Sequence, residues 1–386
     1  MAKSALYAAM LSTLALTTPA SGQKVIYFDG TPSSSADAVP GRYICVFKST
    51  IARNDVRGVA TRVAQKHEGQ VDHVYTNALK GFSLNISDTA VALLIKNSPE
   101  IAYCEQDRIA RIPDPVSDAA KGKPGGGTGT PPLQVVDWGV QRVGGPGDGA
   151  GTGKTVWVID SGVDLNHPDL NVDVIRSRSF LSRDSSPDDA NGHGTHVAGI
   201  IAAKNNDIGT VGVAAGAKVV SLRVLDRRGS GSDAGVILAI DHAYANATPG
   251  DVANLSLITS YMQSMNEAVQ NLGAKGVHVV SAAGNSGADA SNYSPASANG
   301  ANVYTSSAIS DAQGTWATYS NYGAPVDYAE PGSSIYSTNN DGGYTYKSGT
   351  SMAAPHLSGI LLLGPVRAGG MVTGDPDGQI DSVGTR

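Results

Sequence analysis

Apolar and polar positions divide the chain into two stretches of different rhythm. Between Gly41 and Asp107 the runs are short. Arg42–Phe47 reads as a strand, and Val56, Val59 and Val63 fall on one helical face that Gly69 ends. Asp72–Tyr75 and Gly81–Ile86 read as the strands of a hairpin, and Ser87 is placed to cap a second helix running through Asn97. Ile101–Glu105 supplies a last strand. The order strand, helix, strand, strand, helix, strand predicts a split βαβ unit of the ferredoxin-like kind, with its first and last strands side by side. From Thr155 onward the apolar runs are more continuous. Thr155–Ile159, Val219–Val224 and Val277–Ala283 read as strands, separated by helical stretches at His193–Ala203, Asp233–Ala245 and Gln263–Leu272. Strands without a polar face, alternating with helices, predict a parallel sheet covered on both sides. The expected fold is therefore an α/β domain preceded by a smaller α+β domain.

Composition adds the boundaries. Pro113 to Pro132 is rich in Gly, Pro and small polar residues and has no apolar period, which marks a flexible, cleavable linker. The N-terminus runs Met-Ala-Lys, then apolar from Ala5 to Leu16, then small residues around Ala20 and Gly22, the grammar of a signal peptide. That run falls short of the roughly 20 apolar residues that span a bilayer, and no later segment approaches them. The expected organisation is a signal peptide over 1–22, a small domain over 41–112, a linker over 113–132 and the main domain over 133–386. The 386 residues include 47 glycines and are 41% hydrophobic and 16% charged, which describes a soluble globular chain with many tight turns. A net charge of −6 without basic clusters argues against nucleic acid or an anionic membrane as partner. The two cysteines, Cys45 and Cys104, lie on the first and last predicted strands of the small domain. A disulfide and a pair of buried thiols both fit that placement. The main domain has no cysteine, so a bound ion is a reasonable place to look for its stability.

Four short motifs stand at strand and helix ends, where an open α/β sheet assembles a site. Val158-Ile159-Asp160-Ser161-Gly162 puts a carboxylate at the end of an apolar strand, where it can orient a histidine and stabilise its protonated form. Asn191-Gly192-His193-Gly194-Thr195-His196 puts a histidine at a helix start. Gly349-Thr350-Ser351-Met352-Ala353-Ala354-Pro355-His356 puts a serine at a helix N-terminus, where backbone N–H groups and the helix dipole favour an oxyanion. Ala283-Gly284-Asn285-Ser286-Gly287 follows another strand and offers an amide as a second donor. Taken singly, each motif has a dull reading: an acidic residue after a strand, a structural histidine, an N-cap serine, a turn. One mechanism explains them together.

In the order Asp, His, Asn, Ser these motifs resemble the subtilisin-like (subtilase) serine peptidases, over most of Gln134 to Leu363. The resemblance implies that Ser351 is the nucleophile, His193 the general base and then acid, Asp160 its orienter, and Asn285 an oxyanion donor beside the Ser351 N–H. His196 and His356 match no catalytic position and read as structural. The resemblance also implies an extended substrate strand held between Gly229-Ser230-Gly231 and a segment starting at Ser256-Leu257, with Ala283 and Gly284 near the reacting bond. Here the chain departs from the family. Ile258-Thr259-Ser260 stand where glycines are usual, so a β-branched side chain lies beside the specificity pocket, and side-chain preference is open. A structural Ca2+ site is implied by the match of Gln134, Asp169 and the loop from Lys204 through Asn206 and Ile208 to Thr210, with side chains of the first two and Asn206 and carbonyls of the rest.

The small domain resembles the inhibitor-type propeptide of the same family, through Arg42-Tyr43-Ile44-Cys45-Val46-Phe47-Lys48, Leu79-Lys80-Gly81-Phe82 and Ala102-Tyr103-Cys104-Glu105-Gln106-Asp107. Together the two resemblances imply a secreted, monomeric endopeptidase acting on proteins and peptides. It is made as a zymogen inhibited by its own propeptide and cut between Ile112 and Leu133. The mature form has no membrane segment. Gly369 to Arg386, rich in Gly and Asp, matches no longer relative and receives no function. Two other classes fit less well. A dead scaffold, or a binding protein acting on other proteases, conflicts with four intact catalytic parts. An α/β-hydrolase esterase would need a Gly-x-Ser-x-Gly elbow and the order Ser, acid, His, and Ser351 meets neither requirement.

Overall fold

The structure, a computed structural model, describes residues 37–114, 132–379 and 381–386. The signal-peptide expectation over 1–22 and most of the expected linker lie outside them.

The small unit follows the predicted order. It comprises β1 (Ala38–Phe47), α1 (Val56–Lys66), β2 (Gln70–Tyr75), β3 (Gly81–Asn85), α2 (Asp88–Asn97) and β4 (Ile101–Arg111). The Ser87 side chain accepts from the Ala90 N–H, which supplies the predicted cap of α2. The sheet order is β4-β1-β3-β2, antiparallel throughout, so the first and last strands are neighbours. Cys45 faces Cys104 across that pair, and the two form a disulfide with Cα atoms 4.0 Å apart.

Alternation along β1 gives this sheet two apolar faces. Tyr43, Cys45 and Phe47 pack under α1 and α2 with Val56, Val59, Val63, Leu94 and Ile95. Ile44 and Val46 point the other way, into a cluster belonging mainly to the large domain. One face is thus covered by the unit's own helices and the other by the domain that comes after it in sequence.

The large domain is built on β5 (Thr155–Asp160), β6 (Lys218–Arg223), β8 (Val252–Leu255), β9 (His278–Ala282), β10 (Val303–Ile309) and β11 (Tyr328–Pro331), paired in parallel in the order β11-β10-β9-β8-β5-β6. A short strand β7 (Ser230–Ser232) lies apart from this sheet and joins β4 of the small unit. The helices are α3 (His193–Ala202), α4 (Asp233–Asn246), α5 (Gln263–Ala274) and α6 (Thr350–Leu363).

The sheet is covered on both faces, as its apolar strands require. Val156 and Val158 pack with Val197 and Ile201 of α3 and Leu357 and Leu361 of α6. Trp157 and Ile159, one residue out of phase, pack with Ile237 and Ile240 of α4 and Val269 and Leu272 of α5. The C-terminal segment forms a hairpin, β12 (Arg367–Met371) and β13 (Ser382–Thr385), whose second strand adds in parallel to β11. No helix among the described residues is long and apolar enough to cross a membrane.

Candidate active site

Three of the predicted residues are delivered by these elements to one end of the sheet. Asp160 is the last residue of β5 and is fully buried. His193 opens α3, and its Nδ1 lies 2.8 Å from Asp160 Oδ1 and 3.0 Å from Oδ2. The Ser161 N–H also donates to Asp160 Oδ1, at 2.6 Å. A carboxylate so placed fixes the ring and keeps the proton on Nδ1, leaving Nε2 as the basic nitrogen. His193 Nε2 is buried with no hydrogen-bond partner among the described residues.

Ser351 stands in the first turn of α6, which packs against α3. Its hydroxyl donates to Ser256 O at 3.3 Å, while the Ser256 hydroxyl donates to Ser351 O at 3.0 Å. The serine is therefore turned toward Ser256 rather than bonded to His193. Gly349, just before α6, has φ +145°, and a Cβ there would meet Asn285 Nδ2 at 2.9 Å. Only glycine lets the helix start this close to Asn285.

Asn285 is held from one side. Its Oδ1 accepts from Thr350 N at 2.9 Å and Thr350 Oγ1 at 2.8 Å, which turns its Nδ2 outward. That amide donates to Asp114 O at 2.9 Å. The loop behind it is fixed by Asn321, which donates to Ala283 O and accepts from Ser286 and Ala288 N–H.

Asp114 belongs to the chain that leaves the small unit. Upstream of it, β4 runs between the two predicted substrate-binding segments. Ile109, Ala110 and Arg111 pair antiparallel with Ser232, Gly231 and Ser230, and Ile112 N–H donates to Gly229 O at 3.0 Å. On the other side Arg111 and Ile258 exchange both backbone bonds, at 2.9 and 2.8 Å. Ser256 and Leu257, leading into Ile258, are fully buried.

The small unit is docked by carboxylates at helix starts. Glu105 accepts from the Gln263 and Ser264 N–H groups at 2.9 and 2.8 Å, and Asp107 from Ala234 N–H at 3.0 Å. These satisfy free N–H donors at the starts of α5 and α4. In the other direction, Asp241 accepts from Asn77 and Ala78 N–H at 2.7 and 2.8 Å. Burial pushes Asp107 up to about 6. Asp233, beside it, is raised well above the carboxylate range by burial and then by the charge of Asp107.

The six residues of the implied ion site also come together. Asp169 is buried. Its Oδ1 accepts from Asn206 Nδ2 at 2.9 Å, its Oδ2 from Tyr344 OH at 3.2 Å and Thr210 N at 3.4 Å, and its carbonyl from Lys204 N. Gln134 Oε1 accepts from Asn206 N at 2.6 Å, and Ile208 N donates to Asn206 Oδ1 at 3.0 Å. The Lys204 ammonium is bonded to Pro168 O instead of to Asp169. Burial pushes Asp169 up to about 6. Among the described residues no group of three or more His, Cys, Asp or Glu side chains is placed to hold a metal ion. A cation here would rest on one carboxylate plus amide and carbonyl oxygens, a set that suits a hard cation.

His196 and His356 sit as structural residues. His196 Nε2 lies 3.1 Å from Ile335 O, and burial drives its pKa far below the usual range. His356 bonds Met352 O, and burial lowers it to about 4. Sequence reasoning missed Thr350, although it adjoins Ser351 within the same motif. It also missed Asp189, whose carboxylate gathers Ser161 Oγ, Thr195 Oγ1 and the Asn191 and Gly192 N–H groups under the start of α3. No local pattern distinguishes Asp189 from its neighbour Asp188.

Comparison with known proteins gives the family. Residues 151–364 match the model of the subtilase family. The chain is 36% identical over 343 residues to alkaline serine exoprotease A of Vibrio alginolyticus, a match covering 84% of this chain and 60% of that protein. It is 36% identical over 310 residues to proteinase R of Parengyodontium album, covering 77% of this chain and 73% of that one. It is 34% identical over 373 residues to a subtilisin-like protease of Coccidioides posadasii, covering 90% and 86%. The crystal structure of a cold adapted subtilisin-like serine proteinase superposes with a TM-score of 0.53 at 38% identity, covering 58% of this chain and 83% of that chain.

Proposed function

Since the chain belongs to the subtilase family and is a subtilisin-like serine endopeptidase, we propose that Asp160, His193 and Ser351 are its catalytic triad and that it is a secreted, self-processing zymogen. The observation that carries the reading is the buried Asp160–His193 pair, at 2.8 Å, with an unpartnered His193 Nε2 on a helix packed against the one that starts at Ser351. Turned about its Cα–Cβ bond, the Ser351 hydroxyl gives its proton to His193 Nε2 and attacks the scissile carbonyl. Asp160 holds the resulting imidazolium. The oxyanion is met by Asn285 Nδ2, already aimed by Thr350, and by the Ser351 N–H. Removing one such donor typically costs about 10²–10³ in kcat. His193 then protonates the leaving amine, and water resolves the acyl-enzyme.

The small unit reads as a ferredoxin-like, inhibitor-type propeptide whose last strand lies where substrate would lie, between Gly229–Gly231 and Ser256–Ile258. With Asp114 O at Asn285, it holds the cleft as a product would. The cut that releases it belongs between Ile112 and Leu133, a stretch mostly outside the described residues.

The experiment is to expose the purified full-length chain to a fluorophosphonate, which esterifies activated serines, and to map the label by peptide mass spectrometry while following peptide cleavage. The reading expects label on Ser351 and cleavage of peptides. A folded protein that takes no label and cuts nothing would point to an inactive scaffold.

Gln134, Asp169 and Asn206 side chains with the Lys204, Ile208 and Thr210 carbonyls would hold Ca2+, which when bound would cross-link the start of the large domain to the loop after α3. Chelation should then lower the thermal midpoint by several degrees, with recovery on adding Ca2+ but not Mg2+, whose strict octahedral geometry suits this loop poorly. An unchanged midpoint would remove the site.

A further inference from the structure

This inference rests on the peptidase reading and deepens it to the residue on the acyl side of the cut bond. Two walls flank that position. Ser256 to Ile258 forms one, tied to Ser351 through the reciprocal Ser256–Ser351 bonds. Ala283 to Asn285 forms the other, tied to Thr350 through Gly284 N–H and Asn285. The gap between them adjoins the place where Asn285 Nδ2 holds a carbonyl.

The protein fills that gap itself. Ile258 Cδ1 lies 2.5 Å from the point a Cβ would occupy on Gly284, so the isoleucine reaches across to touch the opposite backbone. Gly284 has φ +107° and no room for a side chain, which makes the contact possible. Ile258 is 8% exposed, clamped by its two backbone bonds to Arg111. Asp114, whose carbonyl reaches Asn285, is exposed, while Pro113 before it is buried and lines the same cavity as Ile258.

We propose that Ile258 is a specificity-determining residue that closes the slot between the two walls, so that the enzyme cuts after glycine, alanine and other small residues in preference to leucine or aromatic ones. Beside Ile258 a cavity of about 200 Å³ is walled by Asn285 and Tyr293 of the large domain and by Arg111 and Pro113 of the chain leaving the small unit, and the experiment is arranged to detect a large side chain lodging on that side.

The enzyme matured from the full chain is assayed on peptides identical except for Gly, Ala, Leu or Phe before the cut bond. Wild type is expected to favour Ala over Phe by at least about 10-fold in kcat/KM. Ile258→Gly is expected to shift the Phe/Ala ratio upward by on the order of 100-fold, the scale set by gaining or losing apolar contacts in a pocket. Ile258→Ala and Ile258→Val should fall between and serve if the glycine variant does not fold. Wild type that cuts after Phe as readily as after Ala overturns the inference, as does a Phe/Ala ratio that no variant moves. Cleavage of no peptide by a protein whose Ser351 also takes no label overturns the peptidase reading, and this inference with it.

Discussion

Ser351→Ala is expected to lower kcat by on the order of 10⁶, the loss typical of a triad stripped of its nucleophile. The residual rate over water comes from the oxyanion donors and from binding. The fold should survive. The hydroxyl makes one long bond, 3.3 Å to Ser256 O, and the reciprocal bond from Ser256 to the Ser351 carbonyl does not involve it. A neutral bond of that kind is worth about 1 kcal/mol. Because the same serine would cut the precursor, intact-mass measurement should find the variant at full precursor length while wild type shortens. A variant within ten-fold of wild type in peptide hydrolysis would remove Ser351 from the mechanism.

Asp160→Asn is expected to reduce kcat by about 10⁴ with little change in KM. The cause is orientation rather than lost charge alone. Both carboxylate oxygens touch His193 Nδ1, Oδ1 at 2.8 Å and Oδ2 at 3.0 Å, and Oδ1 also accepts from the Ser161 N–H, so asparagine keeps one acceptor there and turns the other contact into an NH2 donor facing Nδ1. The new NH2 donor favours the tautomer that accepts on Nδ1 and carries its proton on Nε2, which cannot take one from Ser351, and the charge that held the imidazolium is gone. Steady-state kinetics on one peptide decides the matter, and a loss below about 100-fold would show that Asp160 is not the orienter.

Much of this is legible in the order of residues alone. Thr155-Val156-Trp157-Val158-Ile159 has no polar residue facing either side beyond its first, so it could only be a strand buried on both faces, and Asp160 had to emerge at its end. The helical faces of Val56, Val59 and Val63, and the Ser87 cap, are equally plain. The remainder depends on distant partners. Glu105, Asp107 and Asp241 read locally as solvated charges, and only the meeting of two units turns them into acceptors for backbone N–H groups. The strand Ser382–Thr385 has a glycine and no apolar period, and it exists because β11 offers an open edge. Ile258 stands out as a departure, but its reach to Gly284 depends on how two loops approach.

The pairing of β7 with β4 makes a strand of the large domain the edge of the small unit's sheet. If the small unit is the inhibitory propeptide proposed above, that edge is occupied while the chain is whole at an effective concentration set by the length of chain joining the two units, on the order of millimolar for short tethers. A cut between the units would leave the described pairing of β4 with β7 and Ile258 in place, yet it would turn an intramolecular equilibrium into a bimolecular one. From then on occupancy of the cleft depends on the total protein concentration, so dilution into the surroundings would itself be the step that frees the enzyme.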